Sequence, residues 1–181
     1  MYGADEGNVH VSSFKTFFEH NSQGYSGAIL SEVATVMCSY SAINYVPMAI
    51  STLLPSILRE KLKFDGFVIS DYDELGRIIF QHLPTSFQTM KGINESVAAA
   101  MNAGIDMMML PPFEGEKNIF IHFDSMKSAL QNGVITEARL NDAVARILSV
   151  KMALGLVKDR NGNNNNNKKG IRKAIEENEE L

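Results

Sequence analysis

Gly66-Phe67-Val68-Ile69-Ser70-Asp71-Tyr72-Asp73-Glu74 is the stretch on which the reading of this chain turns. Phe67-Val68-Ile69 is short, β-branched and aromatic, and Gly66 precedes it. Such a run predicts a strand buried on both faces, as in a parallel sheet. Parallel sheets present their chemistry at the C-terminal ends of their strands. Asp71 closes this strand, so a carboxylate stands where a reaction is run, with Tyr72, Asp73 and Glu74 directly behind it.

Outward from that point, strands and helices alternate. Ala34 to Cys38 reads as a buried strand that enters a loop at Ser39-Tyr40-Ser41-Ala42-Ile43-Asn44. Ser51 to Lys61 reads as a helix with Ser51 as N-cap and Leu53, Leu54, Ile57, Leu58 and Leu62 on one face. Pro55 fits only in its first turn. Ile93 to Asn102 is a second predicted helix, with Asn94 a candidate cap and Gly104 its stop. Ile105 to Leu110 is a third apolar strand, ended by Pro111-Pro112. Thr136 opens a last helix whose expected apolar stripe is Leu140, Val144, Ile147, Leu148 and Met152, with Gly155 after it. Arg139 cannot complete a capping box, so Thr136 caps alone. Upstream, Phe14, Phe17 and Phe18 predict a short amphipathic helix inside the polar stretch Met1 to Gly27.

This alternation predicts an α/β fold with parallel strands. Three strands, and no G-x-G-x-x-G or P-loop, favour part of a (β/α) TIM-type barrel over residues 1–157. Beyond Val157 the composition shifts to Asn161-Gly162, the run Asn163 to Asn167 and Lys168-Lys169-Gly170. Residues 158–170 therefore read as a disordered low-complexity linker, and 171–181 as a charged, acidic tail.

The chain has 181 residues, enough for one domain with a real core. Its net charge of −4 carries no electrostatic footprint for nucleic acid or an anionic membrane. Cys38 is the single cysteine, which excludes an internal disulfide. No apolar run approaches the ~20 residues of a membrane span. Met1 to His20 lacks the basic start and apolar core of a signal peptide. The expectation is a protein that is not secreted, or one whose natural N-terminus lies further upstream.

Asp71 admits two readings: a nucleophile or base at a strand end, or a loop carboxylate bonded to backbone amides. Arg77, six residues on, reads as a group that holds a substrate hydroxyl or keeps a carboxylate ionised, or as a surface ion pair. Asp71-Tyr72-Asp73 after an apolar strand resembles the first motif of haloacid-dehalogenase-like phosphohydrolases. There one Asp attacks phosphorus, the second serves as acid and base, and Mg2+ balances charge. The continuation Glu74-Leu75-Gly76 departs from that motif. Tyr40 and Asn44 follow the first strand and face the same mouth, or make local turns. His10, His20, His82 and His122 show no metal-ligand spacing, and His82 and His122 read as surface or satisfied histidines. Met107-Met108-Met109 reads as core filling, and Cys38 as a small buried hydrophobe.

Three segments together resemble glycoside hydrolase family 3, the β-glucosidase and exo-glucanase family. They are Val36 to Asn44 continued by Leu58 to Asp71, then Ala103 to Met109, then Arg139 to Leu148 with Lys151 to Leu156. The resemblance covers roughly Ser31 to Val157. It implies the C-terminal part of the family's (β/α)8 barrel domain and hydrolysis of O-glycosyl bonds, retaining and exo-acting on β-glucosides. Asp71 would be the nucleophile that forms a covalent glycosyl-enzyme. Tyr40 and Arg77 match positions lining the sugar subsite. Tyr72 stands where the family often has Trp, an aromatic that stacks on a sugar face. The implied partners are a β-glucoside or glucan oligosaccharide and a complementary chain that completes the barrel; no cofactor or metal is implied. The family is often secreted, periplasmic or lysosomal, and this chain carries no such address.

Departures from the family pattern qualify this expectation. Tyr45 follows Asn44 where the family has Gly, so the loop is expected to leave its usual path, because Tyr resists φ > 0. The front of the barrel and the domain that supplies the acid/base Glu have no counterpart in this sequence. Glu74 and Asp73 lie too close in sequence to Asp71 to be nominated for that role. A catalytically inactive remnant that binds sugar or a partner chain through Tyr40, Tyr72 and Arg77 is the alternative. A Mg-dependent phosphohydrolase using Asp71 and Asp73 is the third reading.

Overall fold

The structure is a computed structural model, which describes residues 7–20, 22–80, 92–110 and 116–157. The described chain runs β1 (Asn8–Val9), α1 (Phe14–His20), α2 (Gln23–Leu30), β2 (Thr35–Met37), β3 (Ala42–Ile43) and β4 (Val46–Pro47). A 3-10 turn (Met48–Ile50) and a π-helix (Leu54–Lys61) follow. The chain continues with β5 (Phe67–Tyr72), α3 (Glu74–Phe80), α4 (Ile93–Ala103), β6 (Met107–Met109), α5 (Glu116–Gln131) and α6 (Glu137–Ala153). No described helix is long and apolar enough to cross a membrane.

The expected parallel sheet is present, with order β2-β5-β6 and the Phe67-Val68-Ile69 run in the middle. Val36 pairs with Val68, and Ile69 with both Met37 and Met107. Val68 and Ser70 are fully buried on one face of β5, while Phe67 and Ile69 on the other are half-buried, so the expected burial on both faces is complete on one of them. Helix α4 explains the core. Val97 and Ala100 pack into a cluster with Leu54, Leu58, Phe64, Val68, Leu75 and Ile105. Its opposite side, Ala98 and Met101, packs with Ala129, Ile135 and Ala143. The helix is therefore buried on two sides, and Asn94, Glu95 and Asn102 form its exposed face. Gly104 ends it in the left-handed region at φ 110°, as predicted.

Several expectations are corrected. The predicted loop after β2 contains strand β3, which pairs in parallel with β1 and antiparallel with β4. The two hairpin residues, Asn44 (φ 50°) and Tyr45 (φ 66°), both adopt left-handed backbone. A two-residue hairpin turn of type I′ needs that conformation at both positions, hence its preference for Asn-Gly. Tyr45 takes it because its N–H donates to Asn8 Oδ1 at 2.7 Å, and its ring lies edge-on to His10 at 4.9 Å. Asn44 is bound on both amide atoms to the Val11 backbone, so it belongs to this turn and not to the mouth of the sheet.

Helices α3 and α5 were not foreseen. The helix expected from Ser51 begins at Leu54, with Pro55 in its first turn and Leu54, Ile57 and Leu58 buried. Ser51 Oγ accepts the Leu53 N–H just ahead of it. Asn94 does not cap α4; Gly92 occupies that position, and the Asn94 side chain accepts from Ser125 Oγ at 2.5 Å. Thr136 caps α6 alone, accepting the Arg139 N–H at 3.1 Å. The buried face of α6 is Ala143, Ala145, Arg146, Ser149 and Val150, while Val144 is 45% exposed. Buried ion pairs, described below, turn the Arg139 and Arg146 face inward. His82, Pro111-Pro112, the Asn run and the tail lie outside the described residues.

Candidate functional site

Asp71 sits at the C-terminal end of β5, on a bulge. Ile69 pairs with Met107 and Tyr72 with Met109, which leaves one extra residue on β5 between the two pairs. Bulges re-aim side chains beside active sites. Buried Ser70 stitches this one: its hydroxyl accepts the Met109 N–H and donates to the Asp71 carbonyl, each at 2.9 Å. Asp71 Oδ1 accepts the Tyr72 N–H at 2.7 Å.

The ladder between β2 and β5 continues past its last paired residues, since the Cys38 N–H donates to the Ile69 carbonyl at 2.8 Å. That carries Tyr40 to the same sheet end as Asp71. The Tyr40 hydroxyl donates to the Tyr72 carbonyl. The Arg77 guanidinium, from α3, lies 4.4 Å from the centre of the Tyr40 ring, within cation–π range. Burial, and after it the charge of Asp71, pushes the Tyr40 phenol up, so Tyr40 stays a neutral donor beside that carboxylate. Asp71, Tyr40, Tyr72 and Arg77, residues from three segments, thus meet at one end of the sheet.

Glu74 is the site residue that sequence reasoning set aside. Its side chain is 2% exposed and lies beneath Asp71, with Oε2 accepting the Asp71 N–H at 2.8 Å. Burial pushes its carboxyl up to about 7, opposed by the amide hydrogen bonds of Asp71 and Ala49. Spacing alone carried no signal for this contact, because it requires the chain to fold back at the strand-to-helix turn. Asp73 takes left-handed backbone (φ 54°) and donates its N–H to the Met109 carbonyl at 3.0 Å. Its carboxylate lies over Gly76, where a Cβ would come within 2.8 Å of Oδ1. Asp73 is therefore turned onto its own helix. Among the described residues no three His, Cys, Asp or Glu side chains converge on a point that could hold a metal ion. Cys38 is buried, and burial with the nearby Glu74 charge pushes its thiol far up, so it is a packed thiol, as expected. His122 is also buried, on α5.

At the opposite end of the strands lies a charge network to which sequence reasoning assigned no role. Asp106 accepts from Arg59 Nη2 at 2.5 Å, Arg139 Nη2 at 2.9 Å and the Val68 N–H at 2.8 Å. Arg59 also donates to the Phe64 and Gly66 carbonyls, and Arg139 to those of Met101 and Ile105. Arg146 extends the network through Asp142 at 2.9 Å. Burial pulls Arg59 down to about 10, which leaves it a cation at neutral pH. Asp106 within an otherwise apolar strand segment was the one available clue. Lying at the N-terminal strand ends, the network serves the scaffold.

The chain as a whole is similar to known proteins. A family model described as "Glycosyl hydrolase family 3 N terminal domain" matches residues 3–150. A lysosomal beta glucosidase of Dictyostelium discoideum is 33% identical over 123 residues, which is 67% of this chain and 14% of that protein. A beta-xylosidase of Formosa agariphila is 31% identical over 125 residues, 68% of this chain and 16% of that protein. The crystal structure of a beta-glucosidase from Listeria innocua in complex with gluconolactone superposes with a TM-score of 0.69 at 25% identity, covering 82% of this chain and 19% of that one. This chain thus spans about one sixth of the length of the curated relatives it matches.

Proposed function

This chain belongs to glycosyl hydrolase family 3, and on that premise we propose that Asp71 is the nucleophile of a retaining, exo-acting glycosidase for β-glucosides. The observation that carries the reading is the bulge, which sets one carboxylate at the strand end beside Tyr40, Tyr72 and Arg77. An ionised Asp71 attacks the anomeric carbon, and its negative charge stabilises the oxocarbenium-like transition state. The Tyr72 ring offers a stacking face for the sugar. Arg77, braced on the Tyr40 ring, holds a hydroxyl. Glu74 is not the acid, because it is buried beneath Asp71 and bound to the Asp71 amide. The group that protonates the leaving oxygen belongs to a part of the enzyme other than the described residues.

The fold reading goes with this. The β2-β5-β6 sheet and its helices form the C-terminal part of a (β/α)8 barrel domain within a longer enzyme, 158–170 is its linker and 171–181 its tail. Among the described residues β2 and β6 each pair only with β5, which supports completion of the sheet by further strands or a complementary chain. A second reading, a catalytically inactive remnant that binds sugar or a partner chain, draws on Tyr40, Tyr72 and Arg77 meeting at one end of the sheet.

The test is intact-mass analysis after incubation with 2,4-dinitrophenyl 2-deoxy-2-fluoro-β-glucoside, whose leaving group departs without a general acid. A stable adduct mapped to Asp71, and lost in Asp71→Asn, is the expected result. Folded protein that forms no adduct would overturn the nucleophile assignment in favour of the remnant.

A further inference from the structure

Two carboxylates are buried among the described residues, Asp106 and Glu74, and among those residues only Asp106 is paired with cations. Asp106 lies between two guanidinium groups. Glu74 instead faces the negative charge of Asp71 on β5, the Cys38 thiol after β2, the Tyr40 phenol on the following loop and the Ala49 amide of the 3-10 turn. Its Oε2 accepts the N–H of the residue that the proposed chemistry uses, at 2.8 Å. A buried acid facing another acid costs stability, and such an arrangement is characteristic of a functional site.

We propose that Glu74 is a positioning residue for Asp71: its carboxylate anchors the bulged strand end through the Asp71 N–H, and protonation of Glu74 loosens that anchor. The catalytic half of this inference rests on the nucleophile assignment above; the anchoring half does not. An ionised acceptor binds an N–H about twice as strongly as a neutral one. The Ser70 bonds fix the Asp71 carbonyl side of the bulge, and Glu74 fixes its amide side. With both held, the Asp71 side chain has one direction to take, which pre-organises it for attack. Burial places the switch near neutrality, where ordinary carboxylates no longer titrate.

The experiment uses the full chain, 15N-labelled, in wild-type and Glu74→Gln forms. The Asp71 amide resonance is followed from pH 5 to pH 9, and the rate of labelling by the fluoro-glucoside is measured over the same range. In the wild type the amide shifts with a midpoint near 7, and labelling rises about tenfold through that midpoint, the factor expected between a charged and a neutral acceptor. Glu74→Gln keeps shape and an acceptor oxygen, so both curves become flat at the level of the protonated wild type. Glu74→Ala, checked for native amide dispersion, labels more slowly than Glu74→Gln at every pH. A wild-type amide that does not titrate, or a labelling profile unchanged in Glu74→Gln, would overturn the positioning role. A titrating amide with no adduct at any pH supports the anchor and overturns the nucleophile assignment, so the two failures are distinguishable.

Discussion

Asp106→Asn separates a scaffold role from a catalytic one, and its cost follows from the contacts. The Asp106 side chain is 1% exposed and satisfies two guanidinium groups and one strand amide. Asparagine keeps an acceptor for the Val68 N–H, a bond worth about 1 kcal/mol. It cannot neutralise Arg59 and Arg139, which are 16% and 17% exposed and would then face each other across an uncharged group. Breaking a buried pair in this way costs roughly 3–5 kcal/mol. Both arginines retain carbonyl partners, which places the expected loss at the lower end, about 3 kcal/mol. Urea unfolding followed by circular dichroism should show the midpoint fall by about 1.5 M for a slope of ~2 kcal/mol/M. The double variant Asp106→Leu with Arg59→Met, which replaces charge by apolar volume, should recover part of the loss. An Asp106→Asn midpoint within about 0.2 M of wild type would refute this account of the network.

Glu74 makes stability pH-dependent with a defined sign. Its folded carboxyl, at about 7, lies above the unfolded value, so its contribution is full below pH ~4.5 and is lost as pH rises through 7. The loss is on the order of 3 kcal/mol. Glu74→Gln should therefore gain on the wild type between pH 5 and pH 8 in thermal melts; parallel melting curves would contradict it. Gly66→Ala should cost about 3 kcal/mol or more, because its Cβ would fall 2.0 Å from the Ala34 carbonyl oxygen and 2.8 Å from the Phe64 ring. Gly76→Ala meets only the movable Asp73 carboxylate and should cost less, so an inverted order in chemical unfolding would refute the comparison.

What the sequence determined on its own was local. A strand inside a parallel sheet is a run of β-branched and aromatic residues, so the Phe67-Val68-Ile69 strand and its parallel sheet were legible, although Phe67 and Ile69 are only half-buried. Helix stops and caps act within four residues, so Gly104 and Thr136 were legible as well. Helix α5 was not, because its pattern is inverted: Ile119, Phe120, Ile121 and Phe123 face outward, while His122, Ser125 and Ala129 are buried. A period read from hydrophobic residues finds no inward face there. The family and the candidate nucleophile came from the Ser70-Asp71 context. Only the tertiary structure decided what holds that carboxylate. The bulge depends on register against β6, the Tyr40–Arg77 stack on a loop 37 residues away in the numbering, and the Glu74 anchor on a reversal at a strand end. Burial made Glu74 titrate near neutrality and drew Arg59, Asp106 and Arg139 into one network, and burial is a property of the packed chain that no single residue carries.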